Sequence, residues 1–220
     1  LSDLTTVLTS AGGNAAASFM KKVLGPAVEE MGGMVADYVR IHRLGKQIKA
    51  FTRSQQMLTD AGLTPSPIAM KTLWPLMEGI SIEDNDSLSE KWAALLANAA
   101  SPNGSEVVEP SFADVLKQLT PTQALILDHL YEQVDGRLMQ QERGWYYTFK
   151  VDKVRRVIEL PFTDFERCMD NLIRLRLCTR IIPARNNSLF KPPAGFPTTE
   201  PTMFGYAFVQ ACKAPIAQKL

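Results

Sequence analysis

Two clusters in this chain have the residue types for chemistry. Glu83, Asp84, Asp86 and Glu90 set four carboxylates close together, hard oxygen donors of the kind that calcium or magnesium takes. The ordered alternation and turn glycine of a calcium loop are missing, however. Ser87-Leu-Ser-Glu90 reads instead as a capping box, in which the Ser oxygen and the Glu carboxylate satisfy the free amides of a helix start. Carboxylates there also favour the positive end of the helix dipole. The expectation is a helix cap and no metal. The second cluster is cationic: Arg43, Lys46, Lys49 and Arg53 lie roughly opposite Ile41, Leu44, Ile48, Phe51 and Leu58 on a helical wheel. Such a face can meet nucleic acid, anionic lipid or an acidic protein surface. One candidate partner lies in the chain itself, in its acidic middle.

Nucleophiles and bases are sparse. His42 and His129 are the two histidines, and neither sits in a metal spacing such as H-E-x-x-H. Cys168, Cys178 and Cys212 form no C-x-x-C, so they read as small core residues of a protein in a reducing cytoplasm. No nucleophile elbow, phosphate-binding loop or dinucleotide fingerprint is present. The expectation is a protein that is not an enzyme and takes no cofactor.

The elements that must hold these clusters are helices. Across 220 residues the net charge is only +1, but its distribution is uneven. Residues 1–62 carry seven Lys/Arg against five Asp/Glu, residues 63–119 three against eight, and residues 120–220 fourteen against ten. An acidic middle between basic ends suggests self-docking or protein contacts more than a nucleic-acid surface. A homo-oligomer joining the acidic middle of one copy to the basic helix of another is a candidate arrangement. No run approaches the ~18 apolar residues of a membrane span. Residues 1–20 read as a flexible lead-in without the basic start and apolar core of a signal peptide. The chain opens on Leu1, so whether a segment precedes it is left open.

Residues 21–118 read as a helical module. A long helical pattern runs from Gly25 to Gly62, broken by Gly32-Gly33 and Gly45. Helices follow over about Pro67–Ile80, Ser87–Ala100 and Ser111–Gln118, with a turn at Ser101-Pro-Asn-Gly104. Residues 119–215 read as a second domain. Thr120-Pro-Thr-Gln123 caps a helix to about Val134, and Trp145, Tyr146, Tyr147 and Phe149 read as a short strand or ordered loop. Helices over Asp152–Glu159 and Thr163–Leu177 follow, the second capped by Thr163 with Glu166. After them come a strand over Thr179–Ala184, a Pro-rich loop over Arg185–Thr199 and a strand or helix over Thr202–Cys212.

That order is the order of a winged helix-turn-helix. The fold class is therefore mainly α, an N-terminal helical module followed by a winged-helix-like α+β domain. In that fold the third helix can enter the DNA major groove, but here its first half carries Asp164, Glu166 and Asp170. Carboxylates oppose phosphate contact, so protein docking is the favoured use and nucleic acid the alternative. Arg155, Arg156, Arg174 and Arg176 are the candidate contact residues of this domain, beside Arg43, Lys46, Lys49 and Arg53 of the first. Membrane perturbation by the basic amphipathic helix ranks lower, because glycines interrupt it.

Five stretches carry a resemblance. They are Gly25-Pro-Ala-Val-Glu29 running into Asp37-Tyr-Val-Arg-Ile-His-Arg43; Pro75-Leu-Met-Glu78 with its following acids; Trp92-Ala-Ala-Leu-Leu-Ala-Asn98; Pro110-Ser-Phe112 through Leu119-Thr-Pro121 into Ile126-Leu-Asp-His-Leu-Tyr131; and Leu172-Ile-Arg-Leu175 with Thr202–Cys212. Over about residues 23–213 the chain resembles the Abi-alpha family of bacterial abortive-infection proteins, otherwise a domain of unknown function. The resemblance implies a role in anti-phage defence; with the missing catalytic motifs and the uneven charge, the expectation is that a protein partner or a phage component is bound. It carries no catalytic residue across.

Overall fold

In the computed structural model the described residues are 41–134, 148–180 and 199–216, with Lys22. They form two units, one holding the described residues up to Gln118 with those from Ala211 onward, the other Leu119–Gln210. Both are mainly helical. The lead-in, the Gly25–Arg40 portion of the long helical pattern, Trp145, Tyr146, Tyr147, the strand beyond Arg180 and the loop to Thr198 lie outside the described residues.

The first unit starts with α1 (Ile41–Asp60). Ile48, Phe51, Met57 and Leu58 form its buried face. It stops where expected, at Gly62, whose φ of 67° is left-handed. Gly62 N–H donates to Thr59 O at 2.9 Å and Leu63 N–H to Leu58 O at 2.9 Å, the paired bonds that close a helix on an αL glycine. α2 (Met70–Ile82) follows, with Pro75 inside it, then α3 (Asp86–Ala99).

The cap of α3 is Asn85, not Ser87. Its Oδ1 accepts from the N–H groups of Ser87 at 3.0 Å and Leu88 at 3.2 Å, and the Ser87 hydroxyl turns back to the same oxygen at 2.7 Å. Asn is among the strongest cap residues, and an extended Asn85 (φ −87°, ψ 127°) starts the helix two residues early. Glu90 is thereby released from the expected box.

α3 is buried on nearly every side: all residues from Trp92 to Ala100 are buried. Both α1 and α2 pack on it. Small residues permit the close approach of α1, where buried Ser54 sets its Oγ 2.7 Å from both Ala50 O and Ala93 O. With one proton, the hydroxyl donates to one carbonyl at a time. On the α2 side, Gly79 faces Trp92. After α3 the chain makes a short helix that the turn signal at Ser101–Gly104 did not suggest, α4 (Gly104–Val107), and then α5 (Ser111–Lys117). Gly104 is required, because a Cβ there would stand 2.0 Å from the Ala99 carbonyl oxygen.

The second unit begins with α6 (Pro121–Tyr131), capped as the sequence predicts. Thr120 Oγ1 accepts from Gln123 N–H at 3.3 Å and Gln123 Oε1 accepts from Thr120 N–H at 3.0 Å. α7 (Val151–Ile158) closes on Glu159, which has a φ of 56°. α8 (Phe162–Arg174) is capped by Pro161 without a side-chain bond, so Thr163 is not its cap. Pro161, its φ of −55° fixed by the ring and its ψ of 147° extended, stands as the cap, so the helix starts one residue ahead of Thr163. β1 (Cys178–Arg180) then pairs antiparallel with β2 (Thr199–Pro201), Thr179 opposite Glu200. Thr199, expected in the loop, is thus a strand residue, and the last stretch becomes α9 (Met203–Ala211). Of the aromatic row, Phe149 is buried edge-on against Tyr131, with ring centres 5.3 Å apart. Its N–H donates to Thr199 O at 2.8 Å.

The Gly79–Trp92 contact gives a direct test. A Cβ at Gly79 would lie 2.2 Å from Trp92 Cη2, and Trp92 is only 1% exposed, with no space to retreat. Gly79→Ala lowers the unfolding free energy by about 1–3 kcal/mol through overpacking, although Ala favours a helix. Urea unfolding followed by far-UV circular dichroism measures it.

Candidate functional site

The predicted cationic face and the predicted acidic cluster meet each other. Lys46 pairs with Asp84. Lys49 Nζ lies 3.1 Å from Asp86 Oδ1. Arg53 Nε reaches both Glu90 oxygens, at 2.8 and 3.0 Å. Three cations of α1 thus stand on three carboxylates that lead into and follow the start of α3. The Glu90 carboxylate raises the Arg53 pKa, through its hydrogen bond first and its charge second. Arg43 falls within α1, but its side chain lies outside the described residues.

Glu83, the remaining acid, accepts Asn85 N–H at 2.8 Å and faces Trp92 Nε1 at 3.4 Å. Among the described residues no group of three His, Cys, Asp or Glu side chains could hold a metal ion. The ladder sits at the surface, with Asp84 90% and Asp86 92% exposed. An exposed pair is worth about 0–1 kcal/mol. Each large side chain buried beneath it contributes about 1.5–3 kcal/mol. Burial therefore holds α1 on α3, and the charges choose the register in which it lies.

The second unit shows the same internal compensation. On α8, Arg167 pairs with Asp164 at 3.0 Å. Arg180 of β1 reaches Glu166 at 3.1 Å and Asp170 at 3.6 Å. Arg174 donates from Nε and Nη2 to Asn171 Oδ1 at 3.0 and 2.8 Å, and Asn171 Nδ2 donates to Gln123 Oε1 at 2.9 Å. Asn171, whose amide could read an adenine edge, is held at both ends. Arg156 is exposed, with Nε 3.3 Å from its own helix at Asp152 O. Arg155 is half-buried. Arg176 is exposed in a left-handed turn (φ 59°), its carbonyl accepting the Thr202 hydroxyl at 2.6 Å.

Three polar residues have tying roles that sequence reasoning missed, two through backbone groups and one through carboxylates. Asn98 Nδ2 faces the carbonyls of Ala94 at 3.1 Å, Ala211 at 2.9 Å and Lys213 at 2.7 Å. Tyr131 OH donates to Leu177 O at 2.6 Å and accepts Thr202 N–H at 3.1 Å. Arg180 neutralises α8 from fourteen residues beyond Glu166. Only Asn98 left a trace, as a lone amide in an apolar run. Cys178 and Cys168 are poor nucleophiles. Burial pushes Cys178 up to about 12 and also raises Cys168. His129 Nδ1 lies 3.1 Å from Glu132 Oε2 at the rim of α6.

A family model described as abortive infection alpha matches residues 39–212. No curated protein and no solved structure matches the chain.

If the ladder sets register and the apolar layer sets affinity, two substitutions separate the roles. Arg53→Ala lowers stability by only about 0.2–1 kcal/mol, and raising salt to ~1 M shrinks the difference. Phe51→Ala, at a fully buried position, costs about 3–5 kcal/mol with little salt dependence. Denaturant titrations at both ionic strengths decide it.

Proposed function

The chain belongs to the abortive infection alpha family, and from that premise we propose that it acts in bacterial defence against phage. It does so by binding a protein partner or a phage component, without catalysis, in the cytoplasm. The observation that carries this reading is the extent of the family match, residues 39–212, which takes in described residues of both units. In support of a binding role, Lys46, Lys49 and Arg53 of the first surface hold Asp84, Asp86 and Glu90, and Arg174 of the second holds Asn171. No described helix is long and apolar enough to cross a membrane.

The second unit is read as a winged-helix-like domain. Its order α6, α7, α8, β1, β2 supports this, as does Phe149 N–H donating to Thr199 O, which ties the segment before α7 to the hairpin. Within it, protein contact is favoured over DNA. Arg167 and Arg180 are engaged by α8 carboxylates, and Asn171 is held by Gln123 and Arg174. Arg155, Arg156, Arg174 and Arg176 are then rim contacts that steer a partner more than they hold it.

Plating efficiency of a broad phage panel on cells with and without the gene tests the defence role. At least one phage plates less efficiently on cells that carry it, and infected cells of that strain survive poorly. Unchanged plating across the panel overturns it. A salt-titrated duplex shift assay tests the protein-contact reading. No binding is expected at ~0.15 M salt, whereas tight binding with a slope near −0.9 per phosphate contacted would assign the domain to DNA.

A further inference from the structure

α2 has two faces of different character. Leu73, Leu76, Gly79 and Ile80 are buried. Lys71, Trp74, Glu78 and Ile82, spaced by three, four and four residues, are all exposed. At the α-helical repeat these four lie within about 80° of arc. Trp74 is 40% and Ile82 54% exposed, a large apolar pair on one solvent-facing seam. Pro75, half-buried, lies beside this seam, about 20° past Ile82.

The charges on this seam are ordered. Lys71 stands near its start and Glu78 about 10 Å further along. A strip with a cation toward one end and an anion toward the other is complementary to its own antiparallel copy, the condition an isologous two-fold contact requires. We propose that α2 is the face through which two copies of this chain associate. With the axis passing between Trp74 and Pro75, Lys71 of each copy faces Glu78 of the other, and Trp74 packs on Pro75. Ile82 reaches the exposed Pro67 that precedes the helix. Opposed helix dipoles add to the attraction.

Glu78 already accepts from Lys117, but at 53% exposure it has lone pairs to spare for a second cation. The acid-to-basic-helix route to a dimer meets more resistance, because Lys46, Lys49 and Arg53 already hold Asp84, Asp86 and Glu90 within the chain. A single 13-residue helix is about 20 Å long, short of what a standard permanent interface needs. The contact is accordingly a weak one whose population follows concentration. It stands independently of the defence reading.

Light scattering and sedimentation equilibrium of the full chain, from ~2 to ~500 μM, test it across the affinity range of a small interface. The expected mass climbs from 24.4 kDa toward twice that value. Trp74→Glu holds it at the monomer, with circular dichroism confirming the fold at this exposed position. Lys71→Glu alone weakens association by setting like charges opposite one another, and Lys71→Glu with Glu78→Lys restores it. A monomer mass at every concentration overturns the proposal, as does a dimer indifferent to Trp74→Glu. Trp74-dependent flotation with anionic phospholipid vesicles by a chain that stays monomeric would also overturn it and assign the seam to lipid.

Discussion

The first unit depends on one requirement: α3 must be surrounded. Nine consecutive residues, Trp92–Ala100, are buried, and a helix apolar on all sides is stable only inside other elements. That need explains the small residues on its faces. Ala93 lets Ser54 of α1 approach closely enough to hydrogen-bond its carbonyl. Gly79 lets α2 lie directly against the Trp92 ring. Gly104 lets the chain turn back over the Ala99 carbonyl. The one amide in this environment, Asn98, would cost several kcal/mol if buried without partners, and it is offered three carbonyls. Since its two N–H groups cannot serve three acceptors fully, one of the bonds is shared.

Electrostatics has a subordinate and specific part. The apolar layer beneath α1 would tolerate some sliding along α3, because hydrophobic contact is non-directional. Three cations separated by three and four residues, facing Asp84, Asp86 and Glu90, resist that sliding. A shift of one helical turn would leave a cation without its acid and set another beside the wrong one. The pairs are exposed and individually weak, so they discriminate between registers without contributing much to overall stability.

Legibility from sequence followed the range of the determining interactions. The central apolar run of α3, the Thr120–Gln123 box and the stop of α1 at Gly62 are decided within a few residues, and each was readable. The start of α3 was local too, but Asn85 and Ser87 are both competent caps, and residue type alone does not rank them. β2 depends on pairing with a strand about twenty residues earlier, so Thr199 looked like loop. Arg180 neutralises Glu166 across a turn that no spacing rule describes. The cationic face was legible as a pattern, and its intramolecular destination was one of several candidates until the geometry placed the acids.

Tyr131 shows how a group with the look of chemistry is turned to architecture. It sits near Thr202 and Cys178, a set that could suggest a proton relay. Burial raises the Tyr131 pKa far above the ordinary phenol value and pushes Cys178 up to about 12, so neither gives up a proton near neutrality. The Tyr131 hydroxyl spends its proton on Leu177 O and its lone pair on Thr202 N–H, joining α6 to both strands' ends. Gly205 completes the arrangement, because a Cβ there would lie 2.1 Å from Leu177 O and 2.2 Å from the Tyr131 oxygen. A catalytic hydroxyl needs open space beside it for a reacting atom. Here backbone fills that space, and the hydroxyl fixes where α9 begins.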